Sequence, residues 1–103
     1  MVVCRIKNSM LLNGTSLQGY TKPISAEEID SILGSSDPSY DEVRFEWNIR
    51  FDDGIVASIY CYKIYIGYRQ KYKYHIGCHR ENSEIVLSRV KRLLNGKIKV
   101  VSQ

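Results

Sequence analysis

The chain has 103 residues, a formal charge of +4 and three cysteines. That length builds one domain, 1–103, around a single modest core, and the mild basic excess is compatible with a plain soluble surface as well as with acidic partners. No run of about 18 apolar residues is present, which excludes a transmembrane helix, and Cys4, Cys61 and Cys78 form no framework of even number, which points to free thiols in a reducing, intracellular setting.

Met1 to Leu12 has an apolar start, a polar middle and Met10-Leu11-Leu12, which predicts a short strand. It lacks the continuous apolar core and small-residue cleavage site of a signal peptide. Asn13 to Tyr20 (NGTSLQGY) reads as a loop, with two glycines and three small polar side chains. A short helix follows. Ser25 is its N-cap, Glu28 completes a capping box, and Ile24 can staple onto Ile29. Ile29, Ile32 and Leu33 face the core, and Gly34 is the stop. Ser35 to Tyr40 is a polar linker containing Pro38.

The central feature is DEVRFEWNIRFDDGIVASIYCYK, Asp41 to Lys63. Val43, Phe45, Trp47, Ile49 and Phe51 alternate with Arg44, Glu46, Asn48 and Arg50, the period of a half-buried strand. Asp52-Asp53-Gly54 is the turn of a hairpin. A two-residue turn at Asp53-Gly54 would set Phe51 opposite Val56 and leave Ile55, Ala57 and Ile59 on the polar face. A three-residue loop pairs Phe51 with Ile55, Ile49 with Ala57, Trp47 with Ile59 and Phe45 with Cys61. The second register makes one face wholly apolar and is preferred. It leaves Arg44 by Tyr62, Glu46 by Tyr60, Asn48 by Ser58 and Arg50 by Val56 on a polar, tyrosine-rich outer face.

Ile64 to Lys73 is aromatic and basic and is broken by Gly67, which predicts a turn or an irregular edge. Tyr72 to Cys78 is a candidate third strand. Asn82 or Ser83 caps a second helix with apolar positions Val86, Val90, Leu93 and Leu94 and with Leu87 on the border. Arg89, Lys91 and Arg92 fall on its open flanks, and Asn95-Gly96 ends it. Lys97 to Val101 is a last strand or an extension docked on the sheet edge. The class is α+β: a small antiparallel sheet built on the central hairpin 43–63, with two helices on one face.

The chemistry-bearing residues are sparse. His75, Cys78 and His79, with Cys61, could be assembled into a zinc set, yet no paired C-x-x-C or H-x-x-x-H is present and Cys61 falls on the apolar face. Cys78 with His75 or His79 could be imagined as a nucleophile pair, but sequence neighbours rarely have that geometry and no oxyanion loop is evident. Asp52 and Asp53 are explained by the turn, and Glu27 and Glu28 by the helix start. The sequence therefore nominates no catalytic residue, no metal ligand and no cofactor. Two features suggest binding. The NGTSLQGY stretch could present backbone N–H groups to an anion ahead of a helix, although it lacks the lysine and spacing of a P-loop. Tyr60, Tyr62, Tyr65, Tyr68, Tyr72 and Tyr74 interleave with Lys63, Arg69, Lys71 and Lys73, a pattern suited to stacking and phosphates but equally to a protein interface.

GTSLQGY (Gly14 to Tyr20), W-x-I-x-F-x-D-G-x-V-A-x-I-Y-x-Y-K (Trp47 to Lys63) and H-I-G (His75 to Gly77) before a terminal helix resemble a family of small uncharacterised proteins of bacteriophages and large DNA viruses. The chain differs from that pattern at Cys61, Tyr74 and Cys78, where the family tends to carry an acidic residue, a tryptophan and a second glycine. The resemblance implies a viral accessory protein in an infected cell, of the kind that antagonises a host factor or captures a signalling nucleotide. The expectation is a non-enzymatic binder of a host defence or regulatory protein in the host cytoplasm. A nucleotide or cyclic oligonucleotide held by the GTSLQGY stretch with His75, Arg44 and Arg50 comes second, a nucleic acid third, and a hydrolase acting through His75 last. The candidate contact residues are Thr15, Ser16, Gln18, Tyr20, Arg44, Arg50, Tyr60, Tyr62, Lys63 and His75. No membrane contact is expected, and self-association through the hairpin edge is left open.

Overall fold

The computed structural model describes residues 1–7, 9–37, 44–62 and 66–101. Its strands are β1 (Val2–Arg5), β2 (Ser16–Ile24), β3 (Phe45–Phe51), β4 (Val56–Cys61), β5 (Tyr72–Cys78) and β6 (Lys99–Val101). Helix α1 (Ala26–Leu33) follows β2, and α2 (Ser83–Leu94) follows β5. The strands form one six-stranded sheet in the order β2-β5-β4-β3-β1-β6. The α+β class holds, but the sheet is larger than the small hairpin-based sheet expected, because the stretch read as a loop supplies β2 as a sixth strand. It is also mixed rather than antiparallel, because β6 runs parallel to β1.

The hairpin β3–β4 has the three-residue-loop register, with Phe45 opposite Cys61, Trp47 opposite Ile59 and Ile49 opposite Ala57. The Phe51 N–H donates to the Ile55 carbonyl at 2.8 Å, and Gly54 takes a φ of 90°, the left-handed conformation this loop needs. Pairing of every second apolar side chain gives one dry face of Phe45, Trp47, Ile49, Phe51, Ala57, Ile59 and Cys61. This hairpin has no free edge: β5 pairs with β4 and β1 pairs with β3. The expectation of self-association at its edge is therefore displaced to the outer strands β2 and β6.

Both helices cover the dry face. In α1 the Ser25–Glu28 capping box is formed, and Ala26, Ile29 and Leu33 are buried. The indole N–H of Trp47 donates to Asp30 Oδ1 at 3.0 Å and to the Gly34 carbonyl at 3.1 Å, which fastens β3 to the end of α1. Arg5 donates to the Leu33 and Ser35 carbonyls and pairs with Asp37 at 2.8 Å, placing a cation at the negative end of that helix. In α2 the buried residues include Val86, Val90, Leu93 and Leu94, as their spacing requires.

Arg89 departs from its expected place on an open flank and is only 8% exposed. Its guanidinium lies over the Phe51 ring and donates to both carboxylate oxygens of Asp53, at 2.9 and 2.6 Å. The periodicity of α2 could not reveal this, since the acceptor sits on a hairpin turn 36 residues away.

The NGTSLQGY stretch is also corrected. From Ser16 onward it is the start of β2, an edge strand paired with β5. The register against β5 slips by one residue between Leu17 and Gly19 and again between Tyr20 and Pro23, so β2 carries two bulges. Asn13, Gly14, Gly19 and Pro23 hid the strand because asparagine, glycine and proline are poor strand formers. A Cβ on Gly19 would lie 2.6 Å from Leu87 Cδ2, so this position lets α2 approach the sheet. At the second bulge the Tyr74 N–H donates to Thr21 Oγ1 at 2.9 Å, and that hydroxyl donates to the Lys22 carbonyl at 2.8 Å.

Candidate functional site: the face of the sheet opposite α1 and α2

The face opposite the helices is built from the positions that alternate with the core. Glu46, Tyr60, His75 and Tyr20 are successive cross-strand partners over β3, β4, β5 and β2. Asn48, Ser58, Gly77 and Leu17 form the neighbouring row. Tyr60, Tyr62 and Tyr20 pack around His75, with ring centroids 5.1, 5.6 and 5.2 Å from the imidazole. Tyr60 and Tyr62 meet edge to face at 5.3 Å. These are favourable aromatic geometries. Tyr20 and Tyr62 are nonetheless more than half exposed.

Gly77 makes this arrangement fit. A Cβ there would come within 3.2 Å of Tyr60 Cε1, so the Tyr60 ring lies across the bare glycine. Beside the ring is a recess of about 220 Å³ lined by Leu12, Thr15, Ser16, Glu46, Ser58, Tyr60, Tyr62 and Gly77. Thr15 is held in its wall by donating to the Leu12 carbonyl at 2.8 Å.

Burial sets the protonation chemistry of this face. It pushes the Glu46 carboxyl up from 4.5, with Asp37 adding repulsion and Asn48 opposing through a hydrogen bond. It pushes the Tyr60 hydroxyl up and the His75 imidazole down from 6.5. The His75 Nδ1 is buried and has no hydrogen-bond partner among the described residues.

The nominated residues separate into groups. Thr15, Ser16, Tyr60 and Tyr62 line the recess, and His75 and Tyr20 adjoin them. Gln18 is the extra residue of the first β2 bulge and donates to Ser16 Oγ at 2.8 Å. Arg44 turns away, with its guanidinium 4.3 Å from the centroid of Phe45, a core-side ring. Arg50 is exposed at the far end of the hairpin, near Asp52 and Gly54. The nucleotide set of GTSLQGY with His75, Arg44 and Arg50 is thus not assembled. Lys63 and Tyr65 lie outside the described residues.

The tyrosine–cation stripe is likewise divided. Tyr74 is wholly buried against Trp47, and Tyr68 donates to Asp30 Oδ2 at 2.7 Å. Arg69 pairs with Glu27 and Lys71 with Glu28, both on α1. These cations hold the 66–71 segment to the helix instead of lining a path for phosphates. The zinc constellation fails on strand geometry. His75 and Cys78 are three apart on β5 and face opposite sides of the sheet, and Cys61 and Cys78 are buried on the core side. Among the described residues no group of three His, Cys, Asp or Glu side chains could hold a metal ion. No described helix is long and apolar enough to cross a membrane.

Glu46, Ser58 and Gly77 were not nominated as contact residues, although the hairpin register already sets Glu46 by Tyr60 and Asn48 by Ser58. What the hairpin alone could not supply was β5, whose pairing brings His75 and Gly77 alongside. No family model, curated protein or solved structure matches this chain.

Proposed function

We propose that the chain is a non-enzymatic binding protein that holds another protein against the face of its sheet opposite α1 and α2, beside the short 3-10 turn Ser9–Leu12 that packs on β4. The observation that carries this is the ring cluster of Tyr20, Tyr60 and Tyr62 about His75, half open to solvent on the side of the sheet that neither helix covers. Tyrosine supplies large, stiff, amphipathic contact area and is enriched where interfaces are strongest. With the resemblance of its motifs to phage and large-virus proteins, the reading becomes a viral accessory factor that engages a host defence or regulatory protein in the host cytoplasm. The test is affinity capture from host lysate with wild-type protein and a Tyr20→Ser/Tyr62→Ser variant, both substituted positions being exposed. A partner retained by the wild type and lost by the variant is expected. A partner retained equally by both removes this face as the interface.

A small nucleotide is the second reading, favoured by Thr15, Ser16, Tyr60 and Tyr62 lining one recess. The ionisable group in that recess is a carboxylate, so a stacked base rather than a phosphate would have to supply affinity. Thermal shift against a nucleotide panel decides it, and the absence of stabilisation by every member ends it.

A further inference from the structure

We infer that the recess beside Tyr60 takes a basic side chain, lysine or arginine, presented by the protein partner. This deepens the docking reading above and rests on it. Three observations converge. The recess is walled by the Tyr60 and Tyr62 rings, whose faces attract cations. Its one carboxylate lining residue is Glu46, half-buried and with no ion pair to a described residue. The remaining polar lining consists of Thr15, Ser16 and Ser58 hydroxyls, which accept hydrogen bonds from an ammonium or guanidinium.

Charge complementarity selects this occupant over an anion. The chain as a whole carries +4, yet this face places Glu46 within electrostatic reach of a second carboxylate, Asp37. Asp37 is already matched by Arg5. Of the cations that would have welcomed a phosphate, Arg44 packs over the Phe45 ring and Arg50 lies at the far end of the hairpin beside Asp52 and Gly54, so neither lines this recess. A half-buried carboxylate with no cationic partner among the described residues is partly desolvated without compensation, which an incoming cation relieves. The volume, about 220 Å³, suits one long side chain better than a whole nucleotide, falling below the usual range of small-ligand pockets. The exposed Tyr20 and Tyr62 rings flank the opening as apolar contact area for the residues on either side of that side chain.

The experiment is an NMR titration of the full chain with Nα-acetyl-lysinamide, Nα-acetyl-argininamide, Nα-acetyl-glutaminamide and adenosine monophosphate. The expected result is saturable shifts at Glu46, Tyr60 and Tyr62 with one or both basic probes at millimolar concentration and none with the other two. Glu46→Gln, close to isosteric, should weaken that binding about tenfold or more, the scale of a lost charge-assisted contact. If that variant disturbs the fold, the exposed Tyr62→Ala carries the same comparison through loss of the ring. No saturable shift with either basic probe overturns the inference, as does equal binding by Glu46→Gln or a response to adenosine monophosphate alone. Should the basic probes fail while Tyr20→Ser/Tyr62→Ser still abolishes partner capture, the docking reading stands and only the cationic anchor falls.

Discussion

Thr21→Val is the sharpest test of how β2 joins the sheet. Threonine and valine share a shape, so the substitution removes a hydroxyl and little else. Thr21 is 6% exposed, and its hydroxyl occupies the point where the second bulge has pulled the β2 backbone away from Tyr74. Without it the Tyr74 N–H loses its 2.9 Å acceptor, and the Lys22 carbonyl loses its 2.8 Å donor. A buried amide left unsatisfied costs about 1–3 kcal/mol. The Lys22 carbonyl lies next to an exposed side chain and recovers part of its loss from water. The sum is about 2 kcal/mol, or a fall in Tm of roughly 10 °C for a domain of this size. Thr21→Ser keeps the hydroxyl and should lose only about 1 kcal/mol, the contribution of one buried methyl. Chemical denaturation gives the stabilities, and hydrogen exchange at the Tyr74 amide gives the mechanism: faster exchange in the valine variant, unchanged in the serine variant. Stability of Thr21→Val within about 0.5 kcal/mol of wild type, the ordinary scatter of neutral substitutions, would refute the reasoning.

Three further outcomes are expected. Gly77→Ala brings a methyl to 3.2 Å from Tyr60 Cε1 on a backbone that tolerates it, so global stability should stay within about 1 kcal/mol while Tyr60 and Tyr62 ring signals shift and partner capture weakens; unchanged ring signals would contradict the packing. Asp53→Asn should destabilise at neutral pH. The hydrogen bonds from Arg89 hold the Asp53 carboxyl below 3.8, so their contribution is present above 3.8 and is lost as pH falls through the lower folded-state value; the gap between variant and wild type should therefore close in acid, and a gap equal at neutral and strongly acidic pH would sink the assignment. His75 is shifted the other way, down from 6.5 by burial. The unfolded chain takes up the proton first, so stability is full above 6.5 and declines as pH drops from 6.5 toward the folded-state value. A His75→Gln variant should lack that decline when urea midpoints are compared between about pH 5 and 7.5.

The hairpin could be read closely because its information is local. Period two, one Asp-Asp-Gly loop and the need for a dry face leave a single register; its pairs from Phe45 with Cys61 to Arg50 with Val56 are present, and the Phe51 N–H to Ile55 carbonyl bond closes the loop. Helix α1 was equally legible, since a capping box and a stop glycine are statements about adjacent residues. β2 was not legible, because its strand character is conferred by partners far along the chain: β5 supplies the ladder, Leu87 fills the space above Gly19, and Tyr74 engages Thr21. Arg89 was misplaced for the same reason, its burial being decided by a turn at Asp53. On the candidate site, the outer face of β3 and β4 followed from alternation, but the union of Tyr60 with His75 and Gly77 needed the pairing of β4 with β5. Cation counting along Tyr60 to Tyr74 misled, because Arg69 and Lys71 are engaged by the carboxylates of α1.

The two outer strands bear on whether a partner meets the face or an edge of this sheet. An unpaired strand edge invites another chain, and folded proteins blunt such edges with bulges, prolines and lysines. β2 carries all three: its register slips twice, Pro23 has no N–H to donate, and the exposed Lys22 sits beside it with its ammonium donating to Asn95 Oδ1 at 2.7 Å. At the other end β6 is three residues long. Strand addition at either edge therefore meets built-in obstacles. The face bearing Tyr20, Tyr60 and Tyr62 has no such guard: two of its three rings are more than half exposed, and its recess is lined by a carboxylate without an ion pair to a described residue. A sheet that defends its edges and leaves aromatic area open on one face suits the proposed side-chain recognition better than strand exchange. Substitutions on that face should accordingly change partner binding, whereas Pro23→Val, which restores a donor to the β2 edge, should raise self-association measured by sedimentation velocity; a Pro23→Val protein that stays as dispersed as wild type at high concentration would show that the bulges and Lys22 suffice without the proline.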